Sequence, residues 1–196
     1  MKICEETLPV ITRYARSGRV VVFDTETTGM GAEDEICQLS AVEYVKGTLA
    51  RRLNLYLNPA CAMSAEAEDV HGLSLEFLRK RGKRPVEALA EFFDFVGGDA
   101  LVVAHNARFD LRMLRQTCQR HEVEFALEGV ETCDTFWMAR KLCPDAGCYS
   151  LAHLIDFFGV KGVNSHDALD DALACGGLFY RLVDEGVRER RVCRVA

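Results

Sequence analysis

Two short apolar runs, each followed at once by polar residues, constrain the fold most. One lies in Arg19–Asp24 (RVVVFD) and the other is Ala100–Ala104. Apolar runs of this length between turn or polar residues are typical of buried strands. The segments Ile36–Val45 and Leu49–Leu57 also have the composition of strands. The turn at residues 46–48, which contains glycine, predicts that these two form a hairpin.

Helical segments alternate with strands in the rest of the chain. Pro85–Val96 has proline at its first position, apolar residues at helical spacing and two glycines after its end. Further helices are predicted at Ser64–Lys80 (one or two short helical turns), Ala107–His121, Thr135–Leu142, Ser150–Phe158 and Ala168–Val183. This order predicts an α/β or α+β fold with a mixed sheet. Ligands of such sheets bind at the carboxyl ends of the central strands.

The length of 196 residues fits one domain, since domains commonly have about 100–200 residues. We expect residues 1–18 to be an N-terminal extension and residues 19–185 to form the domain. Residues 186–196 are basic and are expected to form a loose tail.

Charge and cysteine usage exclude several classes of protein. Thirty acidic against 24 basic residues give a net charge of −6, which disfavours a protein that coats nucleic acid but not an enzyme that holds a strand end. Nine cysteines without a CxxC pair favour reduced thiols in a cytoplasmic protein. The charged N-terminus is unlike a signal peptide, and no apolar run is long enough to span a bilayer. We therefore expect no membrane partner.

Carboxylates follow both buried strands. Asp24 and Glu26 are two residues apart, so in extended chain they point to the same side. In the helix after the second strand, Asp110 shares a face with the apolar Met113 and Leu114. An acid on an apolar face needs a partner, which could be a metal ion, a salt bridge or a cap.

A third acidic cluster, HDALDD, opens the last predicted helix. Asp171 lines up with Cys175 on an apolar face, whereas Asp170 lines up with Arg181 on a polar face. Asp171 is therefore predicted to face inward and Asp170 to face water. His166 precedes the helix, from where its imidazole can turn toward the same cavity.

Four inward acids from three segments indicate a site for metal ions. Mg²⁺ and Mn²⁺ prefer carboxylate and water ligands and need no thiolate. Two such cations can stabilise the attacking and leaving oxygens of an in-line displacement at phosphorus. Histidine changes its protonation near neutral pH, so His166 suits a general base that removes a proton from water.

Together, VVFDTETTG, VVAHNARFD and HDALDDALA resemble, in order and spacing, the three motifs of the DEDDh exonucleases of the DnaQ-like superfamily. The closest likeness is to the epsilon proofreading subunits of bacterial DNA polymerase III, and it covers about Arg19 to Leu182. The resemblance implies a ribonuclease H-like fold with a mixed five-stranded sheet flanked by helices. It implies release of nucleoside 5′-monophosphates from a 3′ end. It assigns as metal ligands Asp24, Glu26, Asp110 and Asp171, with His166 as general base.

The resemblance also suggests substrate contacts. The segment EAEDVHGL is similar to the family segment ending in His-Gly-Ile, which contacts the terminal nucleotide; an ordinary helix-capping turn is the alternative. An aromatic ring such as Phe109 can stack on a base of any sequence, although it could equally belong to the core. His105 and Asn106 are expected to be wall or capping residues. The full expected set is Thr25, Thr27, Glu66, His71, His105, Asn106 and Phe109.

The leading hypothesis is a 3′–5′ exonuclease that acts on single-stranded DNA ends with two Mg²⁺ or Mn²⁺ ions. An exoribonuclease of the RNase T or oligoribonuclease type is the alternative, and a non-catalytic nucleic-acid-binding module is less favoured. Epsilon subunits continue into a segment that tethers the polymerase, whereas this chain ends at Ala196. A subunit with a DNA polymerase as partner and a free-standing nuclease therefore both stay open.

Overall fold

A computed structural model describes the backbone of residues 7–195 and the side chains of residues 7–188. The strands are β1 Arg19–Thr27, β2 Ile36–Val45, β3 Thr48–Tyr56, β4 Leu101–Ala104 and β5 Thr132–Asp134. The helices are α1 Thr7–Ser17, α2 Ala65–His71, α3 Leu75–Arg81, α4 Pro85–Val96, α5 Ala107–Arg120, α6 Thr135–Leu142, α7 Leu151–Phe157 and α8 Ala168–Val195, with a 3₁₀ helix at Pro144–Ala146.

The five strands form one mixed sheet in the order β3-β2-β1-β4-β5. The first three strands pair antiparallel, β4 pairs parallel with β1, and β5 pairs parallel with β4. The expected α/β fold with a mixed five-stranded sheet flanked by helices is confirmed. Because β1 is central and β4 runs parallel to it, the carboxyl ends of both strands meet at one edge of the sheet.

Helices cover both faces of this sheet. Val20 and Val22 of β1 point into a core shared with α1, α6, α7 and α8, whereas Val21 and Phe23 point into a core shared with α4 and α5. All four side chains are fully buried. Strands that are buried on both faces are continuous apolar runs, which explains the sequence of β1. Within the described residues, no helix is both long and apolar enough to cross a bilayer.

The structure differs from the sequence-based expectations near both ends. Helix α1 was expected to lie outside the domain, but its Leu8, Ile11 and Tyr14 are buried in the same core as the sheet. The backbone after Gly186 is not loose, because α8 continues to Val195. Residues 1–6 and Ala196 lie outside the described part of the chain.

Candidate active site

The carboxyl end of the central strand carries the first two carboxylates. Asp24 and Glu26 are half-buried, whereas Thr25 and Thr27 are buried. Alternation along the strand places the two acidic side chains on the same side of β1. Both carboxylates therefore point toward the space beyond the end of the sheet.

The third carboxylate reaches the same place because β4 is parallel to β1. Asp110 lies in the first turn of α5, which follows β4, and its side chain is only 3% exposed. Its Oδ1 accepts a hydrogen bond of 2.8 Å from the hydroxyl of Thr25. The turn into α5 passes through Asn106, which has left-handed φ (+61°) and whose backbone N–H donates to Oδ1 of Asp134 at 3.0 Å.

The fourth carboxylate comes from the first turn of α8. Asp171 is 4% exposed, and its two oxygens accept from the backbone N–H of Ser165 at 2.9 Å and from the side-chain amide of Asn164. The neighbouring Asp170 is exposed, and its side chain accepts a hydrogen bond from the Ser165 hydroxyl at 3.2 Å. The opposite placement of these adjacent acids agrees with the helix-face prediction.

His166 joins the carboxylates from the loop before α8. A nitrogen of its ring and oxygens of Glu26 and Asp171 lie within 4.8 Å of one another. The residue is exposed and has a left-handed backbone with φ of +54°, which is uncommon outside glycine. This unusual turn directs the imidazole back toward the acidic cluster.

Burial, together with repulsion from neighbouring acids, disfavours the charged forms of these carboxylates. Burial, followed by the charges of Asp110, Glu26 and Asp171, raises the pKa of Asp24 well above its ordinary range. Burial and the neighbouring acids raise the pKa of Glu26 to about 8. Burial also raises the pKa of Asp110 to about 7, against the opposing effect of the Thr25 hydrogen bond. A bound cation would relieve this repulsion.

The donors present fit a hard divalent cation. They are carboxylate oxygens, with one imidazole at the rim, and hard cations such as Mg²⁺ and Mn²⁺ prefer such ligands. The nearby Cys175 is fully buried, and burial raises the pKa of its thiol, so it does not add a thiolate to the set. Asp24 and Glu26 accept no hydrogen bond through their side chains from any residue within the described part of the chain, which leaves their oxygens free for a ligand.

The acidic cluster forms one wall of a cleft of about 780 Å³. The cleft is also lined by Phe136 of α6 and by residues 147–151, which lead into α7. The lining of this cleft thus combines acids with the aromatic rings of Phe109, Phe136 and Tyr149. Such a site could hold a nucleotide base against the rings and its phosphate near the acids.

The expected substrate-binding residues divide into two groups. Thr25, His105, Asn106 and Phe109 line the cleft, and the side chains of Asn106 and Phe109 are exposed and half-buried respectively. Thr27, Glu66 and His71 do not line it. Instead, the Thr27 hydroxyl donates to the carbonyl of Gly29 at 2.8 Å, and Glu66 is exposed on α2. The hydroxyl groups of Thr25 and Thr27 thus donate hydrogen bonds to other groups of the protein.

The two histidines of the expected substrate set have both ring nitrogens engaged. In His71, Nε2 donates to the carbonyl of Thr27 at 3.2 Å and Nδ1 accepts from the N–H of Leu73 at 3.0 Å. In His105, Nε2 donates to the carbonyl of Tyr149 at 2.9 Å and Nδ1 contacts the Thr135 hydroxyl at 2.9 Å. Burial lowers the pKa of both, that of His105 to about 4. Both are neutral residues that hold backbone segments in place.

Residues 21–179 match the family model described as "Exonuclease", which is more than half of the chain. The chain belongs to the exonuclease family. A PolC-type DNA polymerase III from Oceanobacillus iheyensis is 35% identical over 170 residues, and one from Caldanaerobacter subterraneus is 29% identical over 185 residues. The matches cover 86% and 92% of this chain, but only 12% and 13% of the two polymerases. The expected kinship with DnaQ-like 3′–5′ exonucleases is confirmed.

Solved structures share the fold of this exonuclease domain. Escherichia coli exonuclease I in complex with a dT13 oligonucleotide has a TM-score of 0.76 at 21% identity, over 92% of this chain and 43% of the other. Exonuclease X in complex with a 5′-overhanging duplex has a TM-score of 0.65 at 22% identity, over 86% of this chain and 92% of the other. The sheet and its helices thus match those of known exonucleases.

Sequence analysis missed residues that position the site of the exonuclease domain. Gln38 of β2 donates to Oδ2 of Asp167 at 3.0 Å and accepts from the N–H of Ala168 at 3.2 Å. Oδ1 of Asp167 in turn accepts from the N–H of Leu169 at 3.0 Å, so Asp167 caps α8. These bonds fix the start of α8, and with it Asp171, to the strand beside β1. Asp134 has a similar role at α5, through its bond to Asn106.

The raised pKa values in the acidic cluster lead to a prediction about how the stability of the metal-free domain depends on pH. Folding raises the pKa of Glu26 from its ordinary 4.5 to about 8, so the folded domain binds a proton that the unfolded chain releases. The stability that this proton provides is fully present below pH 4.5 and is lost as pH rises through about 8. In excess chelator we therefore expect the melting temperature to fall with rising pH across this interval.

The variant Asp24→Asn isolates this effect. It removes the Asp24 carboxyl, whose own pKa is raised well above its ordinary value by burial and by the neighbouring acids, so its melting temperature should fall less steeply with pH than that of the wild type. At the alkaline end, and in chelator, the variant should be the more stable of the two. Saturating Mn²⁺ should raise the melting temperature of the wild type more than that of the variant. Equal pH slopes for both proteins in chelator would show that folding does not raise the pKa of Asp24.

Proposed function

We propose that this domain is a DEDDh-type 3′–5′ exonuclease that uses two Mg²⁺ or Mn²⁺ ions to release nucleoside 5′-monophosphates from single-stranded DNA ends. The observation that carries the proposal is the convergence of four carboxylates and one imidazole, from three separate segments, at the carboxyl end of the central strand. A non-catalytic module would have no need to keep all five groups together. In such a module, repulsion among these groups would lower the stability of the fold without serving a function.

The residues of the chain have distinct roles in this reaction. Asp24, Glu26, Asp110 and Asp171 would hold the two cations, which supply charge stabilisation for the attacking and leaving oxygens when bound. His166, at the exposed rim, would accept the proton of the attacking water.

Hydrogen bonds within the protein orient two of the metal ligands. The Thr25 hydroxyl holds Asp110, and Ser165 and Asn164 hold Asp171. Ligands fixed in this way lose little freedom when a cation binds. The aromatic wall at Phe136 and Phe109 would receive the terminal base by stacking.

Two findings support DNA as the substrate. The polymerase III relatives are by name DNA polymerases, and two solved structures with the same fold are complexes with DNA, one with a dT13 oligonucleotide and one with a 5′-overhanging duplex. The relatives also support a proofreading role beside a polymerase, with which this domain would share a 3′ end. The domain spans only about an eighth of those polymerases, so acting without a polymerase is the other setting for the same chemistry.

The test is digestion of matched DNA and RNA oligonucleotides that carry a label at the 5′ end. With Mn²⁺ or Mg²⁺, we expect a ladder of labelled products that shorten by one nucleotide at a time, and no products in excess chelator. An oligonucleotide with a blocked 3′ end should resist. Cleavage of circular single strands, or full activity in chelator, would contradict the proposal, and faster digestion of RNA would reassign the substrate.

A further inference from the structure

A second groove lies beside the cleft, on the outer face of α5. Its volume is about 810 Å³, and we call it the arginine groove. It is lined by Arg108, Arg112 and Arg115 of α5, by the edge of β5 and by Trp137 of α6. The spacing of the arginines, four and then three residues, places them on one side of the helix. Because β5 is the last strand of the sheet, its outer edge is open toward the groove.

The groove carries positive charge that the protein does not neutralise. Arg108 is exposed and, among the described residues, has no ion pair or hydrogen bond. Arg112 lies over the ring of Phe109 at 5.2 Å and donates a long hydrogen bond of 3.4 Å to the carbonyl of Met30, and it has no ion pair with any residue in the described part of the chain. Arg115 is paired with Glu128 at 2.6 Å. Two guanidinium groups are thus available to an anion, in a chain with a net charge of −6.

One carboxylate, Asp134, also lines the arginine groove. It is 3% exposed, and its Oδ1 accepts from the backbone N–H groups of Asn106 and Phe136, both at 3.0 Å. Burial raises the pKa of Asp134 above its ordinary value, against the opposing effect of these hydrogen bonds, so its charged form is disfavoured. Asp134 does little to cancel the positive charge at the mouth of the groove.

Aromatic rings connect the groove to the cleft. Trp137 is 41% exposed. The centroid of its ring lies 5.4 Å from that of Phe136, which lines the cleft. Arg140 lies over Trp137 at 5.2 Å and over Tyr149, a residue of the cleft wall, at 5.6 Å. Phe109 makes a second connection, because it lines the cleft and the guanidinium group of Arg112 lies over its ring.

We propose that the arginine groove binds the part of the nucleic-acid strand that lies upstream of the 3′-terminal nucleotide. Arg108 and Arg112 contact its phosphates, and Trp137 stacks on one of its bases. Arginine beside an exposed aromatic ring is the combination that binds single strands without sequence preference. Continuity with the cleft favours the substrate strand over an acidic protein, because a strand whose end lies in the cleft must leave it along one of its walls.

This proposal rests on the proposed exonuclease activity, and the length of the substrate separates the two. A dinucleotide fills only the cleft, whereas a long single strand also reaches the groove. The test compares KM and kcat on both substrates for the wild type, for the double variant Arg108→Ala/Arg112→Ala and for Trp137→Ala. Arg52→Ala is the matched control, since Arg52 is also exposed but lies on β3 at the opposite edge of the sheet.

We expect the double variant to raise KM for the long strand and to leave kcat, and both constants for the dinucleotide, as in wild type. For this variant, the slope of log KM against log salt should become shallower by about 0.7 for each arginine removed. Trp137→Ala should raise KM for the long strand by about fivefold or more, and Trp137→Phe should restore most of the affinity. Arg52→Ala should behave as wild type.

Three outcomes would overturn the proposal. If the groove variants match Arg52→Ala on the long strand, the substrate does not use the groove, and a protein partner becomes the better occupant. If they lose activity equally on the dinucleotide, they act on the cleft itself. If they differ from wild type only in melting temperature, their role is structural. Failure of the wild type to cleave either substrate would refute the exonuclease activity itself.

Discussion

We expect Asp171→Asn to abolish turnover while the domain stays folded. Asp171 is buried at the start of α8, within 4.8 Å of ligand atoms of Glu26 and His166. Charge stabilisation by a metal ion is worth several kcal/mol, so loss of a ligand that holds it should cost about 10³-fold or more in kcat. Exonuclease rate, Mn²⁺ affinity by calorimetry and thermal melting check this result.

Asp170→Asn is the matched control, because it makes the same chemical change one residue away. Asp170 is exposed, and its side chain accepts a hydrogen bond from the Ser165 hydroxyl. Its replacement should leave the rate within a few-fold of wild type, and the free energy of unfolding should change by about 0.5 kcal/mol or less. An inactive Asp170→Asn beside an active Asp171→Asn would show that the face of α8 assigned to the metal site is wrong.

The stability of Asp171→Asn separates the loss of charge from the loss of hydrogen bonds. The two oxygens of Asp171 accept from Ser165 and from Asn164. An asparagine keeps one acceptor, so its amide group would face one of these donors. A melting temperature without metal well below that of wild type would show that Asp171 also holds the loop at residues 164–166. The activity loss would then have to be separated from movement of His166, which lies in that loop.

The strands that build the site could be predicted from the sequence, and β5 could not. β1 and β4 are apolar runs, and β2 and β3 flank a glycine turn, so each has a local signal. β5 has only the three residues TCD, too few for a periodic pattern. It becomes a strand because β4 offers it a pairing edge, which is a tertiary effect.

The two ends of the chain show different limits of sequence analysis. In α1, Leu8, Ile11 and Tyr14 already have helical spacing, but nothing local indicates that they pack on the sheet. The last helix was expected to end at Val183, but α8 continues through Gly186 to Val195, although glycine is unfavourable in a helix interior by about 1 kcal/mol relative to alanine. The structure gives the reason for the glycine. A Cβ there would lie 3.0 Å from Leu8, so its absence allows α1 to pack closely against α8.

The acids of the site follow from local periodicity, but the residues that orient them do not. Alternation in a strand and the faces of two helices are sufficient to select Asp24, Asp110 and Asp171. Gln38 lies in a strand with an ordinary pattern, and its importance depends on α8 crossing that strand. No spacing in the sequence relates residue 38 to residue 167, so only the folded chain reveals the contact.

We expect His166→Ala to lower kcat by about 10²–10⁴-fold, the usual contribution of a positioned general base. The four carboxylates remain in this variant, so Mn²⁺ affinity should stay close to that of wild type. KM should also change little, because His166 is exposed at the rim of the cleft and contacts the attacking water in this proposal rather than the strand. Single-turnover rates and calorimetric metal titrations measure these quantities separately.

The position of His166 makes the metal titration decisive. Its ring lies close enough to Glu26 and Asp171 to be a metal ligand itself, since the three ligand atoms are within 4.8 Å of one another. If His166 is a metal ligand, His166→Ala should lower the metal affinity together with the rate. If His166 is the general base, the same variant should lower the rate alone. His166→Gln is the sharper variant, because an amide oxygen can still bind a hard cation but cannot accept a proton near neutral pH. If His166→Gln restores the rate along with metal affinity, His166 is a ligand, and the proton of the attacking water must go to another group.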